Sequence, residues 1–318
     1  MHRSRHLRPL LRALLAAALL APATASGQNI VARADSLLRG GRLSAAEDLY
    51  YLAVRRQPRD PEARLALGRY LAARGALKVG AVLMEEARYF GGDARAVAVQ
   101  LAPVYARMGD WRALAALPGT PLSTGERLRA TWLQANPFTL RGPDSTTVPL
   151  LADTRGLGAV SLVIEGDTLT AIVDPGVQGI VLDTAWAAGA GLRIFKGKAD
   201  TDRRRFVAAA PSARIGAIVL ANAPVRFAPM AHREARIGLD LLGQLAPTFD
   251  AAAGRLTLRR AGRLADQGGA LRVPTMVLPS GVHVVRDGTI PLGAPQARAM
   301  LGARWTLDAR RGEIVVGA

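Results

Sequence analysis

The sequence predicts a multidomain chain, α-helical first and mainly β afterwards. Three observations carry this reading. Gly41, Gly75 and Gly109 recur every 34 residues, each behind an apolar helical stretch. From Val148 onward the apolar period shortens to the alternation expected of strands, with Gly-Asp and Asn turn signals between the runs. A lone carboxylate, Asp174, stands between the apolar run Ala171-Ile172-Val173 and the Gly-containing turn Pro175-Gly176.

The N-terminus has Arg3, Arg5, Arg8 and Arg12, an apolar run over 13–21, then Pro22 and Ala23-Thr24-Ala25. That order is a secretory signal with cleavage expected after Ala25. The run falls short of the roughly 20 residues that span a bilayer, so a secreted or periplasmic protein without an integral membrane segment is expected. The chain has no Cys, which excludes disulfides, thiol catalysis and thiolate metal sites. Formal charge is +17, of which the signal holds four, leaving +13. Nearly all the excess is Arg, spread along the chain; Arg203-Arg204-Arg205 and Arg259-Arg260 are the densest clusters and lack interleaved aromatics. This reads as a solvated Arg-rich surface, and no nucleic-acid partner is expected.

Helix pairs are expected at 31–39 with 44–56, 61–74 with 77–90, and 94–108 with 111–117. Seven residues before each spaced glycine lies Ala34, Gly68 or Ala102, where paired helices must approach closely. Ala46 and Gly80 come five residues after the first two, and Tyr50 and Met84 nine after. Asp60-Pro61 supplies an N-cap and a first-turn Pro. This small-large alternation resembles tetratricopeptide repeats (TPR-like, residues 26–118), which implies a groove for a peptide or partner, or a packing platform for the next domain.

Residues 119–147 read as a linker with one short helix near 125–134. After it come strands at 159–165 and 168–173 joined by Gly166-Asp167, and a short helix at 184–191. A hairpin is expected over 215–220 and 225–227 around Asn222, followed by a short helix at 238–245. A last hairpin joins 249–250 to 256–258.

In order and spacing these elements resemble one lobe of a retropepsin-like aspartic peptidase (acid protease), over 148–262. The resemblance rests on the Asp174 loop, the run Ile180-Val181-Leu182 leading into a helix, the segment Ile237 to Gly243, and the closing hairpin from Phe249-Asp250 to Leu258. It implies Asp174 as the catalytic residue, Pro175 and Gly176 as its loop, and Leu241, Leu242 and Gly243 as an apolar-Gly segment supporting that loop. The family loop reads Asp-Thr-Gly. Here Pro175 removes a hydroxyl and an N–H and fixes φ, so the lock between facing loops is expected to be weak or absent.

The family's chemistry needs two loops face to face, with two carboxylates sharing one proton. A second carboxylate could come from a homodimer or from the tail, 271–318, a shortened second lobe or C-terminal β extension. The tail echoes the closing hairpin: Leu307-Asp308-Ala309 to Val316 repeats Phe249-Asp250-Ala251 to Leu258. Its Asp287 reads as a hairpin-turn residue. Residues 195–211, with Lys196, Lys198 and Arg203–Arg205, would be the flap or a solvated basic loop. His232 and His283 are isolated and read as surface or turn residues, so no metal and no cofactor is expected. Two functions stay open: an exported aspartic endopeptidase acting on peptides, or a non-catalytic peptide-binding or scaffold protein using the repeat groove and the relic cleft.

Overall fold

The computed structural model describes residues 23–119, 122–153, 155–188, 191–198, 200–230, 234–260 and 270–317. The expected signal segment, up to residue 22, lies outside them. The helical part begins with α1 (Ala23–Arg39), α2 (Leu43–Arg56), α3 (Pro61–Ala73), α4 (Leu77–Tyr89), α5 (Ala94–Met108) and α6 (Trp111–Ala116). Gly41, Gly75 and Gly109 hold the turns within successive pairs at φ 73°, 94° and 70°, a region that costs any other side chain strain. Asp60 caps α3 by accepting from Glu62 N at 2.9 Å, and Asp93 caps α5 by accepting from Arg95 N at 2.8 Å. Helices α3 and α4 cross at Gly68 and Gly80, where a Cβ on Gly80 would meet Gly68 O at 2.7 Å. Ala34, Ala46, Ala53 and Ala87 are fully buried at the other close approaches. Tyr50, Tyr70 and Tyr105 donate to Asp35, Glu47 and Glu85 on neighbouring helices at 2.5, 2.9 and 2.6 Å. Burial, then the carboxylate partner, raises each phenol above its ordinary value, so these tyrosines stay neutral donors.

The stretch expected as a linker is structured. It carries α7 (Thr124–Ala135), β1 (Thr139–Arg141) and β2 (Ser145–Pro149). A reciprocal capping box between Ser123 and Glu126 starts α7. Its Pro and Gly residues punctuate short elements that find their partners far away in sequence, which no local pattern reveals.

Beyond it lie β3 (Ala159–Ile164), β4 (Asp167–Asp174), β5 (Ile180–Asp183), β6 (Arg193–Phe195), β7 (Val207–Ile215), β8 (Ile218–Ala228) and β9 (Ala235–Gly238). Then come α8 (Leu239–Leu242), β10 (Thr248–Asp250), β11 (Arg255–Arg259), β12 (Leu271–Leu278) and β13 (Gly281–Val285). The chain ends with β14 (Thr289–Pro291), α9 (Pro295–Leu301), β15 (Arg304–Asp308) and β16 (Glu313–Val316). The first sheet runs β1-β8-β5-β9-β4-β3-β7-β6 and closes on itself through β7 and β8. Asn222 does not turn a hairpin: it sits inside β8 at φ 56°, opposite Pro211 of β7, and pairing resumes on both sides of it. The hairpin turn is Gly216-Ala217 instead. Asn tolerates the left-handed backbone in either setting, so the residue type alone could not separate a turn from a kinked strand.

The second sheet runs β14-β13-β12-β16-β15-β10-β11-β2. Its middle is symmetric. Thr248 pairs with Thr306 between β10 and β15, and the flanking hairpins carry β2 and β12 at matching places. Val148 and Pro149 pair with Leu256 and Arg255 just as Val273 and Pro274 pair with Ile314 and Glu313. The closing hairpin β10–β11, expected to finish the first lobe, therefore shares a sheet with the tail.

The helices rest on this second sheet. Gly41 packs against Asp287-Gly288, and Gly75 lies beside Ala309 and Arg310. Arg74 donates through Nη1 to Thr275 O at 2.7 Å and Gly312 O at 3.0 Å. Met276 and Val285 are buried among Tyr50, Leu67 and Tyr70 of the helices. Arg74→Ala strips two carbonyls of a charged donor and should lower stability by about 1 to 3 kcal/mol, read as a lower denaturant midpoint with an unchanged slope. An unchanged midpoint would mean that the helices are fastened elsewhere.

Candidate active site

Strand β4 delivers Asp174 to the end of the first sheet, and β9 runs parallel beside it with Gly238 as its neighbour. Three donors shape the loop. Gly176 N donates back to Asp174 Oδ1 at 2.8 Å, which folds the Pro175 turn. Arg236 Nη1 donates to Asp174 Oδ2 at 2.6 Å, a charge-assisted bond to a side chain only 13% exposed. Gly179 N donates to both carboxylate oxygens of Asp240, at 2.9 and 3.1 Å, and so fixes the far end of the loop.

The residues under the loop are Gly238 and Asp240. A Cβ on Gly238 would overlap Val177 O and Asp240 Oδ1. Of the residues expected to support the loop, Leu241 and Leu242 are buried in the core on α8, and Gly243 lies against the second sheet, with Ala309 Cβ 2.9 Å from where its own Cβ would stand.

Facing Asp174-Pro175-Gly176 is the chain's own tail. Val282 N donates to Pro175 O at 2.9 Å, the Pro175 ring lies against Gly293, and a Cβ on Gly281 would overlap Pro175 O. The docking of the two loops, expected to be weak without a Thr, is made through the carbonyl of Pro175, a group that proline keeps. The facing loop is Pro279-Ser280-Gly281-Val282, which shares the Gly-Val pair of Asp174-Pro175-Gly176-Val177 at the same spacing. Pro279 stands where the repeat would carry its carboxylate. Among the described residues, no carboxylate is hydrogen-bonded to Asp174. Asp287 lies in the turn after β13 at φ 50°, against Gly41 of the helices and not at this loop.

His283 is buried, contrary to the surface position expected for it. It lies in β13 with Nδ1 3.1 Å from Gly281 O and Nε2 3.4 Å from Ser280 Oγ. His232 lies outside the described residues. Among the described residues no carboxylate is bonded to the imidazole to act as the orienting third group of a nucleophilic triad. Among the described residues there is also no cluster of three metal-ligating side chains.

The segment at 195–211, expected as a flap or solvated loop, is pinned. Gly125 of α7 lies directly on Phe195 O, Trp132 packs on Phe195 at 5.8 Å, and Gly197 N donates to Asp200 Oδ2 at 2.7 Å. Lys196 sits over the Phe206 ring, and Asp202 caps the short 3-10 turn of Arg203–Arg205. Sequence reasoning misses Arg236 and the facing loop, though both leave a signal. Arg236 is the one charged residue in the apolar run Ala235-Arg236-Ile237, and the Gly-Val pair recurs at Gly176-Val177 and Gly281-Val282.

Two measurements test this geometry. A double-mutant cycle with Asp174→Ala and Arg236→Ala should return a coupling of about 1 kcal/mol, held down by the partial exposure of Arg236 and reduced by salt. Zero coupling would mean the pair does not form. Asp240 is raised above the ordinary carboxylate value by burial, against the opposing amides of Gly179 and Leu241 and the charge of Arg107. For a carboxyl raised in the fold, the native state holds more protons than the unfolded chain between the two pKa values, so its contribution to stability falls as pH rises through that window. Asp240→Asn should therefore flatten that part of the stability profile, and an unchanged slope would rule the effect out.

No protein-family model matches the chain, and no curated protein matches it. Among solved structures, a retropepsin-like aspartic protease from Rickettsia conorii is similar at 16% identity and a TM-score of 0.27, over 38% of this chain and 92% of that one.

Proposed function

We propose that this chain is an exported protein of retropepsin-like descent that binds peptides without cleaving them, with its helices serving as tetratricopeptide-like repeats. The observation that carries the reading is the state of Asp174. A retropepsin-type carboxylate must share a proton with a second one to activate water and protonate the carbonyl. Asp174 instead pairs with Arg236 at 2.6 Å, and the loop opposite offers Pro279. A guanidinium bonded to Oδ2 occupies lone pairs that water activation requires. The homodimer route meets a second obstacle, because the face that would receive a partner's loop is covered by Ser280 to Val282 of the same chain. Export rests on the Arg-rich start, apolar run and Ala-Thr-Ala of the N-terminus.

The test is direct. The mature protein, incubated with casein and with quenched fluorescent peptides between about pH 4 and pH 7, should release no more product than Asp174→Asn. Cleavage that disappears in Asp174→Asn would establish a peptidase and overturn the proposal.

A further inference from the structure

The symmetry of the second sheet extends to the surface beside it, and there the two lobes differ. Leu150 N donates to Gly254 O at 2.8 Å, as Thr275 N donates to Gly312 O at 2.7 Å. In the same register Leu151 corresponds to Met276, and Ala251 to Ala309. The tail's face is covered. Gly75 lies beside Ala309, Arg74 donates to Thr275 O and Gly312 O, and Met276 is buried, which leaves a cleft between α3, α5 and the segment from Met276 to Pro279. The first lobe's face is open. Leu151 is 58% exposed, and beside it lies a cavity of about 360 Å³ lined by Leu150, Leu157, Leu292, Leu301 and Trp305. None of the residues lining that cavity belongs to the helices.

The helices carry a matching surface that rests on nothing. Gly41 and Gly75 sit on the sheet. Gly109 has the same left-handed backbone, at φ 70°, yet a Cβ there would meet only Trp111 Nε1 among the described residues, at 4.0 Å. Met108 holds the repeat position of Arg74, 34 residues further on. It lines an open groove on α4 and α5 with Val82, Tyr89 and Tyr105. Val82 is 58% exposed and Tyr89 85%. Large apolar side chains gathered in one solvent-facing patch mark an interaction surface.

We propose that the groove at Val82, Tyr89 and Met108 of one copy of this chain seats on Leu151 and the cavity of a second copy. The seating repeats between chains the contact that the Gly75 turn makes within one. Where Arg74 meets two carbonyls, Met108 meets Leu157, Leu301 and Trp305. That change of residue follows the change of lining, because a flexible thioether fills an irregular apolar site and favours an aromatic neighbour. Leu151 in turn enters the groove between Val82 and Tyr89 and leaves water. A second copy fits better than a free apolar ligand, which would fill the cavity but leave Val82 and Tyr89 exposed. The two patches are unlike, so a copy altered in one can still pair with a copy altered in the other.

The mature protein is followed by sedimentation velocity between about 1 and 100 μM. Its average mass should rise with concentration to at least that of two copies. Leu151→Glu and Val82→Glu each place a charge in the apolar contact, and each should stay monomeric over that range with an unchanged melting temperature. An equimolar mixture of the two variants should form a 1:1 complex, because the intact groove of the first meets the intact cavity of the second. Should Val82→Glu melt early, Tyr89→Glu takes its place. Wild-type protein that stays monomeric overturns the proposal, as does self-association that survives either substitution, or a mixture that stays monomeric. So does uptake of a small apolar fluorophore by the monomer that is lost in Leu151→Glu, which would give the cavity to a free ligand. None of these results touches the absence of hydrolysis, which the casein assay decides separately.

Discussion

The hydrogen bond between Thr248 and Thr306, 2.7 Å long and buried at the centre of the second sheet, is the contact around which the β region is organised. The two residues occupy matching places in the two closing hairpins and pair directly with each other, so a local two-fold axis passes between them. The outer strands are placed by that register. Each hairpin is flanked by the strand that begins its own lobe, β2 on one side and β12 on the other. Because the lobes are tied at their base in this way, the loops at their opposite ends are brought face to face, and Pro175 meets Gly281 and Val282. Phe249 stacked on Trp305 at 4.3 Å adds apolar burial beside the axis.

The symmetry is complete at the base and lost at the top. In the first lobe, β9 inserts between β4 and β5, so the Asp174 loop is held open by Gly238 and by the Asp240 bonds to Gly179. In the tail, β12 and β13 pair with each other directly and leave a tight turn at Pro279-Ser280. Pro279, which directly follows β12, brings no carboxylate to that turn. Among the described residues no carboxylate is bonded to Asp174, and the side chain that is bonded to it is a cation. The loop thus holds Asp174 in a fixed ion pair with Arg236 while Gly176 folds the turn back onto the same carboxylate.

Much of this was legible in the sequence where the physics is local. The 34-residue glycine spacing located the helix turns, because only a left-handed residue closes each pair there. Gly166 and the Ala251–Gly254 turn marked hairpins for the same reason. The residues that were missed depend on partners far away in the chain. Nothing near Ser145 announces that β2 will pair with β11 more than a hundred residues later, and Asn222 looks the same in a turn as in a kinked strand. For the site, Asp174 could be singled out from its neighbours, but its state is set by Arg236, and its opposing loop by Pro279. Those are consequences of topology.

The turns at Gly41 and Gly75 bear on one more property. A helical solenoid touches only its own neighbours and bends like a spring, each pair adding its small share of compliance. Here two successive coils are clamped to one rigid sheet, Gly41 at Gly288 and Gly75 at Ala309. A spring held at two adjacent coils is a beam over that span. Its curvature is set by the spacing of its supports on the sheet, so the width of the cleft beside it is a machined dimension and not an elastic one.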